Sequence, residues 1–357
     1  MGEPSRPPAN GFVVAARKVY HPVGFSKGYN FVLWFIFGGA FLGFILARLP
    51  YFNFYGIFCS PNGSAMLGAL PGECYYYLNF DRYKVGVILH LAGILPAGLL
   101  ACLQFTPVVR YKALILHRAT GWLAILLSVV GIAGALMIAR RAFGGGIESQ
   151  TITGVMAIAF LVSLLLAVVN IKRLQIEEHR KWMLRAWFYA GAIITMRIIL
   201  VIAANIIAPL GGYYTAMPCA KVAFSVGSDE QTLQDYPACA PYFNGTNPDQ
   251  WTMVTANFNG TDVAQIAAAL DMTAGMALWL AFLLHAVGVE VYLYLTPAEH
   301  NRLRAVSYQR QLAAGMRNPG RAGLTADWLG DAERWTLPEA KAEKVQAEAS
   351  KDSLPTP

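Results

Sequence analysis

Six apolar blocks, each close to the length that crosses a bilayer, constrain this chain more than any other feature. About 20 consecutive apolar residues in a helix span the hydrocarbon core. Blocks of that size run over Phe31–Leu49, Val85–Phe105, His117–Ala139, Thr151–Asn170, Leu184–Ala208 and Met272–Leu295. Composition points the same way: of 357 residues 56% are hydrophobic and only 14% charged, where a soluble domain carries about a quarter charged. The expected fold is an all-α integral membrane protein with about six transmembrane helices, its solvent a lipid bilayer.

Orientation follows from the basic residues. The net charge is +7, but most Lys and Arg fall in the N-tail, in "TPVVRYKALIL", in "IKRLQIEEHRKWM" and in the C-tail. These become one side of the membrane if both termini are cytoplasmic, as the positive-inside rule expects. The charge is therefore an orientation signal and not a nucleic-acid footprint. Arg140-Arg141 breaks the rule. The first thirty residues lack the short apolar region and cleavage site of a signal peptide, so the first block reads as an uncleaved anchor. On the opposite side lie the sequons Asn62-Gly-Ser, Asn244-Gly-Thr and Asn259-Gly-Thr. Cys59, Cys74, Cys219 and Cys239 fall there too, where an oxidising compartment sustains disulfides, and all three ways of pairing them are open. Cys102 stands apart, inside the second span. A plasma-membrane or secretory-pathway location is expected.

The chain then divides into an N-tail (1–30), five spans (31–208), an outer loop (209–271), a sixth span (272–296) and a C-tail (297–357). The outer loop is aromatic and acidic, with Lys221 as its one lysine, and reads as a small disulfide-pinned cap. Thr296-Pro297-Ala298-Glu299 has the order of a capping box with proline at N1, so a short helix should follow. Its Arg302, Arg304 and Arg310 would then be available to the anionic leaflet. Beyond about Asn318, Pro, Ala, Glu and Lys dominate and disorder is expected.

Ionisable groups inside a membrane are costly, so each is a functional candidate. They are His90, His117, Arg118, His179, Arg180, Arg185, Arg197, His285 and Glu290. His117 and His179 both begin spans on the cytoplasmic side, at similar height. Two imidazoles at one level suit bis-histidine ligation of a haem iron; interfacial anchoring explains them as well. His90 and His285 differ in depth by roughly 10 Å and make a poorer pair. Small residues line the faces below two histidines: Gly93, Ala97 and Ala101 below His90, and Gly121, Ala124, Ser128 and Gly131 below His117. Such stripes serve close helix packing or make room for a flat cofactor. Arg197, alone at mid-span, needs an anion: Glu290, a propionate or a substrate carboxylate. No CxxC, phosphate-binding loop, HExxH or aspartate-rich diphosphate motif occurs.

At these residues the chain resembles a known family. "LHRATGW", followed by "EEHRKWMLRAWFYAGAIITMRI", is similar to the paired signatures HR-x-x-G and H-x-x-WM-x-R with a later arginine. These mark fungal and bacterial membrane proteins of domain of unknown function 2306. The histidine of "GVILHLAGILPAGLLACLQF" belongs to the same pattern, which covers His90 to Arg197. Trp122 stands where the family usually has a basic residue. The resemblance implies a polytopic bundle and points to His90, His117, Arg118, His179, Trp182, Met183, Arg185 and Arg197. In outline that core is similar to transmembrane b-type cytochromes, although the fourth span carries no histidine. The leading expectation is a haem b electron-transfer protein or oxidoreductase, with His117 and His179 as metal ligands and His90, His285 and Arg197 around the cofactor. The alternatives are a non-haem enzyme or carrier for a small hydrophobic or anionic ligand of lipid or terpenoid character, and a structural membrane protein.

Overall fold

A computed structural model describes residues 10–60 and 68–337. The sequon at Asn62 lies outside the described residues. A short amphipathic helix α1 (Gly11–Tyr20) comes first, its start capped by the Asn10 side chain, which accepts from Val13 N at 2.9 Å. Then follow α2 (Gly28–Phe52), α3 (Glu73–Asn79), α4 (Asp81–Gln104), α5 (Leu114–Ile138), α6 (Ile147–Lys172) and α7 (Ile176–Leu210). The cap contributes strand β1 (Tyr214–Pro218), α8 (Cys219–Val226), α9 (Asp229–Asp235) and β2 (Trp251–Thr255), and the chain ends in α10 (Val263–Tyr294) and α11 (Pro297–Ala313). Among the described residues six helices, α2, α4, α5, α6, α7 and α10, are long and apolar enough to cross a membrane.

All six helices begin before their apolar blocks, and two by a wide margin, α7 at Ile176 rather than Leu184 and α10 at Val263 rather than Met272. Hydropathy marks the thickness of lipid, not the length of helix. "IEEHRKWM" and "VAQIAAALD" are polar or small but rich in good helix formers, so both helices extend past the apolar core. Asp271 consequently sits within α10 rather than in a loop.

The described chain forms two compact units, the first from the residues up to Ala157 with Gly191–Phe282, the second from Ile158–Ala190 with Leu283 onward. In the first unit α4 and α5 meet backbone to backbone through glycines. A Cβ placed on Gly134 would stand 2.4 Å from Gly86 O and from His90 N, and one on Gly93 would stand 2.5 Å from Gly131 N. At Gly93 and Gly131 the stripes of small residues therefore receive the backbone of the partner helix. Gly134→Leu is expected to cost at least about 1–3 kcal/mol, because the obstructing atoms are backbone and cannot step aside. Gly39→Leu, where nothing lies within 4 Å, should be tolerated. Thermal unfolding of the two detergent-purified variants checks this; equal melting temperatures would refute the packing account.

The cap is held as the cysteine count implied. Cys59 pairs with Cys74 and Cys219 with Cys239, which selects one of the three open pairings. β1 and β2 form an antiparallel pair, with Tyr214 opposite Thr255 and Pro218 opposite Trp251. Ser228 caps α9 by accepting from Gln231 N at 3.3 Å, and Asp262 caps α10 by accepting from Ala264 N at 2.8 Å.

In the second unit the chain departs most from expectation. Thr296 does not cap α11; its hydroxyl turns back to Tyr292 O at 2.8 Å, and Glu299 pairs with Arg302. Arg304 does not face lipid headgroups. It is buried, donating to Asp327 Oδ1 at 2.6 Å and to Gly320 O at 3.2 Å. The residues after Asn318, expected to be disordered, run as turns, bends and irregular chain as far as Leu337 and make specific bonds, while the remainder of that tail lies outside the described residues. Leu324 N donates to Asn170 Oδ1 and Gly323 N to Gln175 Oε1, each at 2.8 Å, and Trp335 N donates to Asp327 Oδ2 at 3.1 Å. Composition alone underestimated this segment because its anchors are backbone groups, which no residue count registers.

Candidate functional site

The signature "EEHRKWMLRAW" works as a docking hub within the second unit. Fully buried Glu177 accepts from Ser307 Oγ at 2.5 Å and from Gln175 Nε2. Gln175 also accepts from Gln311 Nε2 at 2.8 Å, and Gln311 in turn accepts from Gly320 N at 2.7 Å. Lys181 pairs with Glu178 at 2.9 Å. Arg180 donates to Tyr292 OH at 2.8 Å. Arg185 grips Glu290 with two bonds, 2.6 and 2.9 Å, and lies 4.5 Å over the Trp182 ring. Most of the charged residues in this stretch thus fasten α7 to α10 or α11.

Three of the candidate histidines act as staples between helices. His90 Nδ1 bonds Gly131 O at 2.8 Å, His179 Nδ1 bonds Ala167 O at 2.9 Å, and His285 Nδ1 bonds Phe188 O at 2.8 Å. A carbonyl can only accept, so each Nδ1 carries its proton. His117, in the first turn of α5, has its own carbonyl taken by Gln104 Nε2 at 3.0 Å. His117 belongs to the first unit and His179 to the second. Among the described residues no group of three or more His, Cys, Asp or Glu is arranged to hold a metal ion.

Arg197 belongs to the first unit and Glu290 to the second, where Glu290 is taken by Arg185. Arg197 lies 5.0 Å over the Phe143 ring, and its Nε has no hydrogen-bond partner among the described residues. Its electrostatic counterpart is Glu73, a residue the sequence did not single out.

Glu73 opens a second, denser cluster where the cap meets the bundle within the first unit. It is 5% exposed, Lys221 4% and Asp271 6%. Lys221 Nζ donates to Asp271 Oδ2 at 2.5 Å, while Asp271 Oδ1 has no partner among the described residues. Glu73 Oε1 accepts from Phe143 N at 2.7 Å and Oε2 from Leu70 N at 3.2 Å. Gly72 permits this approach twice over: its φ is +79°, and a Cβ there would meet Lys221 Cε at 2.5 Å. Arg141, of the pair that broke the charge rule, lies 4.5 Å over the Tyr76 ring. A cleft of about 370 Å³ opens onto Tyr76, Arg141, Lys221, Trp251 and Asp271. The sequence did hold signals for this site: one lysine in an acidic loop, and a misplaced arginine pair.

Burial pushes Glu73 up to about 7, against the pull of the Phe143 N–H, with Asp271 adding to the rise and Arg197 and Lys221 opposing it. Lys221 is pulled down by burial, but Asp271 beside it outweighs this and holds the ammonium above its ordinary range. Between 4.5, the ordinary value of a glutamate, and about 7, the folded chain keeps a proton at Glu73 that the unfolded chain has released. The unfolded state binds fewer protons there, so stability is expected to fall as pH rises through this window, by up to about 3 kcal/mol. Melting curves at pH 5 and pH 8 check it. Glu73→Gln should flatten the difference, and an unchanged slope in that variant would show that another group carries the dependence.

Spans, hub and cap define a polytopic helical membrane protein. Residues 87–223 match the model of a family described as "Predicted membrane protein (DUF2306)", the resemblance that the HR-x-x-G and H-x-x-WM-x-R residues carry. The matched segment contains His90, His117, His179, Arg197 and Lys221, and excludes Glu73, Asp271, Glu290 and Ser307. A relative in Aspergillus versicolor, "Ava biosynthesis cluster protein G", is 25% identical, over 76% of this chain and 89% of its own length. No solved structure matches the chain.

Proposed function

We propose that this chain is an integral membrane component of a biosynthetic cluster, and that it binds a small molecule in the cleft beneath its cap, as enzyme or carrier. One observation carries the reading: three ionisable side chains, Glu73, Lys221 and Asp271, are withdrawn from solvent beside a cleft of about 370 Å³. Buried titratable groups in a cleft are where proteins place shifted acids and bases. The printed name of the Aspergillus versicolor relative supports the biosynthetic setting. Deleting the gene in its native host and profiling extracts tests the proposal. A set of related small molecules should disappear, and return with the wild-type gene but not with a Lys221→Met/Asp271→Leu allele whose product reaches the membrane. An unchanged profile would overturn it.

In this reading the cap faces an oxidising compartment, where two disulfides persist, and both termini face the cytoplasm. Asn244 and Asn259 are exposed on the cap, and the Thr246 hydroxyl donates to Asn244 Oδ1 at 2.7 Å. Both asparagines are expected to carry glycans. Digestion with a peptide N-glycosidase should lower the apparent mass of the wild type and leave an Asn62→Gln/Asn244→Gln/Asn259→Gln variant unchanged.

A second reading keeps the haem. Its support is the proton on His179 Nδ1, fixed by Ala167 O. In the neutral ring this leaves Nε2 as the acceptor nitrogen, the form that ligates iron, with the carbonyl in the orienting role common behind such ligands. A reduced-minus-oxidised absorption spectrum decides it. Sharp α and β bands lost in a His117→Ala/His179→Ala variant would establish haem b; a colourless protein from haem-replete cells would end this reading.

A further inference from the structure

The cleft's lining speaks to what enters it. Its walls carry formal charges that cancel, Arg141 and Lys221 against Glu148 and Asp271. Lys221 and Asp271 already satisfy one another across 2.5 Å. A net ionic ligand therefore finds no surplus of opposite charge. The uncharged lining is formed by Gly144, Gly146, the β1 residues Thr215–Pro218 and Met272, with two aromatic rings among them: Tyr76, buried under the Arg141 guanidinium with little of its ring open, and Trp251, half exposed at the start of β2. These two favour flat rings through stacking. Two buried polar atoms of the lining residues have no partner among the described residues, Arg141 Nε, a donor, and Asp271 Oδ1, an acceptor, and a hydroxyl can serve both kinds. Asp271 Oδ1 is buried and bonds nothing among the described residues, and a buried carboxylate oxygen without a donor costs free energy that a ligand O–H or N–H recovers. At about 370 Å³ the space lies at the small end of ligand pockets, which run to roughly 300–1,000 Å³.

We infer that the cleft takes an uncharged molecule of one or a few aromatic rings bearing a hydroxyl or N–H group, and that Asp271 Oδ1 receives that hydrogen bond while Tyr76 and Trp251 hold the rings. The inference rests on the small-molecule reading given above and names the class of molecule for that site. Asp271 is here a binding residue, oriented by Lys221.

Calorimetric titration of the full chain in lipid nanodiscs, with empty nanodiscs subtracted, tests it with three probes of one shape. These are 1-naphthol (neutral, a donor), 1-methoxynaphthalene (neutral, no donor) and 1-naphthoate (an anion). Naphthol should bind at least about tenfold more tightly than the methoxy compound, the value of one hydrogen bond to a charged acceptor, and more tightly than naphthoate. Because Asp271→Asn alone leaves Lys221 without its counter-ion, the comparison uses the paired Lys221→Met/Asp271→Leu variant. There the preference for naphthol over the methoxy compound should shrink to within about twofold. Equal binding of the two neutral probes, or a preference for naphthoate, overturns the ligand class and leaves the cleft a small-molecule site. A preference that survives in the paired variant overturns the assignment to Asp271. If none of the probes binds, ring recognition in the cleft fails, while the gene-deletion profile judges the small-molecule reading separately.

Discussion

Trypsin is expected to cut the Glu177→Ala variant at Arg317 and Arg321 about tenfold faster than the wild type, or more. Glu177 is the buried acceptor at which Ser307 and Gln175 converge, with Arg304 at 3.9 Å. Removing its carboxylate leaves Ser307 Oγ with only the longer bond to Leu303 O at 3.2 Å and Gln175 Nε2 with only Gly320 O at 3.1 Å, and takes from Arg304 the anion it has besides Asp327 among the described residues. Breaking a buried charged network by deleting one partner costs about 3–5 kcal/mol. The loss falls on the segment from Ala314 to Leu337, since Gln175, which donates to Glu177, also donates to Gly320 O and accepts from Gly323 N and Gln311 Nε2. Glu177→Gln should lie between, because a side-chain amide offers one acceptor where two donors wait. If digestion of both variants matches the wild type, the network does not fasten the tail.

Lys221→Met should be nearly as damaging to the cap, and the paired Lys221→Met/Asp271→Leu variant much less so. The single change leaves the Asp271 carboxylate 6% exposed with neither oxygen paired, at an expected cost of about 3–5 kcal/mol. The double change replaces two buried charges by apolar side chains of similar volume, which is often neutral or stabilising. The measurement is a double-mutant cycle on thermal unfolding, with Asp271→Leu as the fourth corner. A double variant as unstable as the sum of the singles would show that the pair contributes no coupling and that each residue acts through other contacts.

The spans and the cap were open to reading because their physics is local. A hydrocarbon core demands about twenty apolar residues, and four cysteines on one side demand disulfides, so runs and counts suffice. Those four cysteines did not disclose their pairing, which depends on how α3 and α8 stand in space. The histidines were visible as candidates, but not the carbonyls of Gly131, Ala167 and Phe188 that fix three of them, since a backbone acceptor has no letter. Glu73, in "PGECYYYLN", lies outside the apolar blocks and carries no signal of its own. Its burial depends on Lys221 and Asp271, which stand far along the chain. The tail misled for the opposite reason: its composition is that of a solvated segment, yet Asp327, Gly320 and Gly323 sit where buried partners need them.

The boundaries of the family segment and of the cooperative structure do not coincide. Arg180, Arg185 and Glu177 lie inside residues 87–223, but their partners Tyr292, Glu290 and Ser307 lie beyond. A fragment cut at residue 223 would keep the signature and lose what the signature holds. A chimaera between relatives should therefore exchange the signature and the closing segment together. For the experimenter the same fact sets where a fusion partner does not belong: anywhere from residue 223 to Trp335, the stretch that carries the signature's partners and the bonded tail.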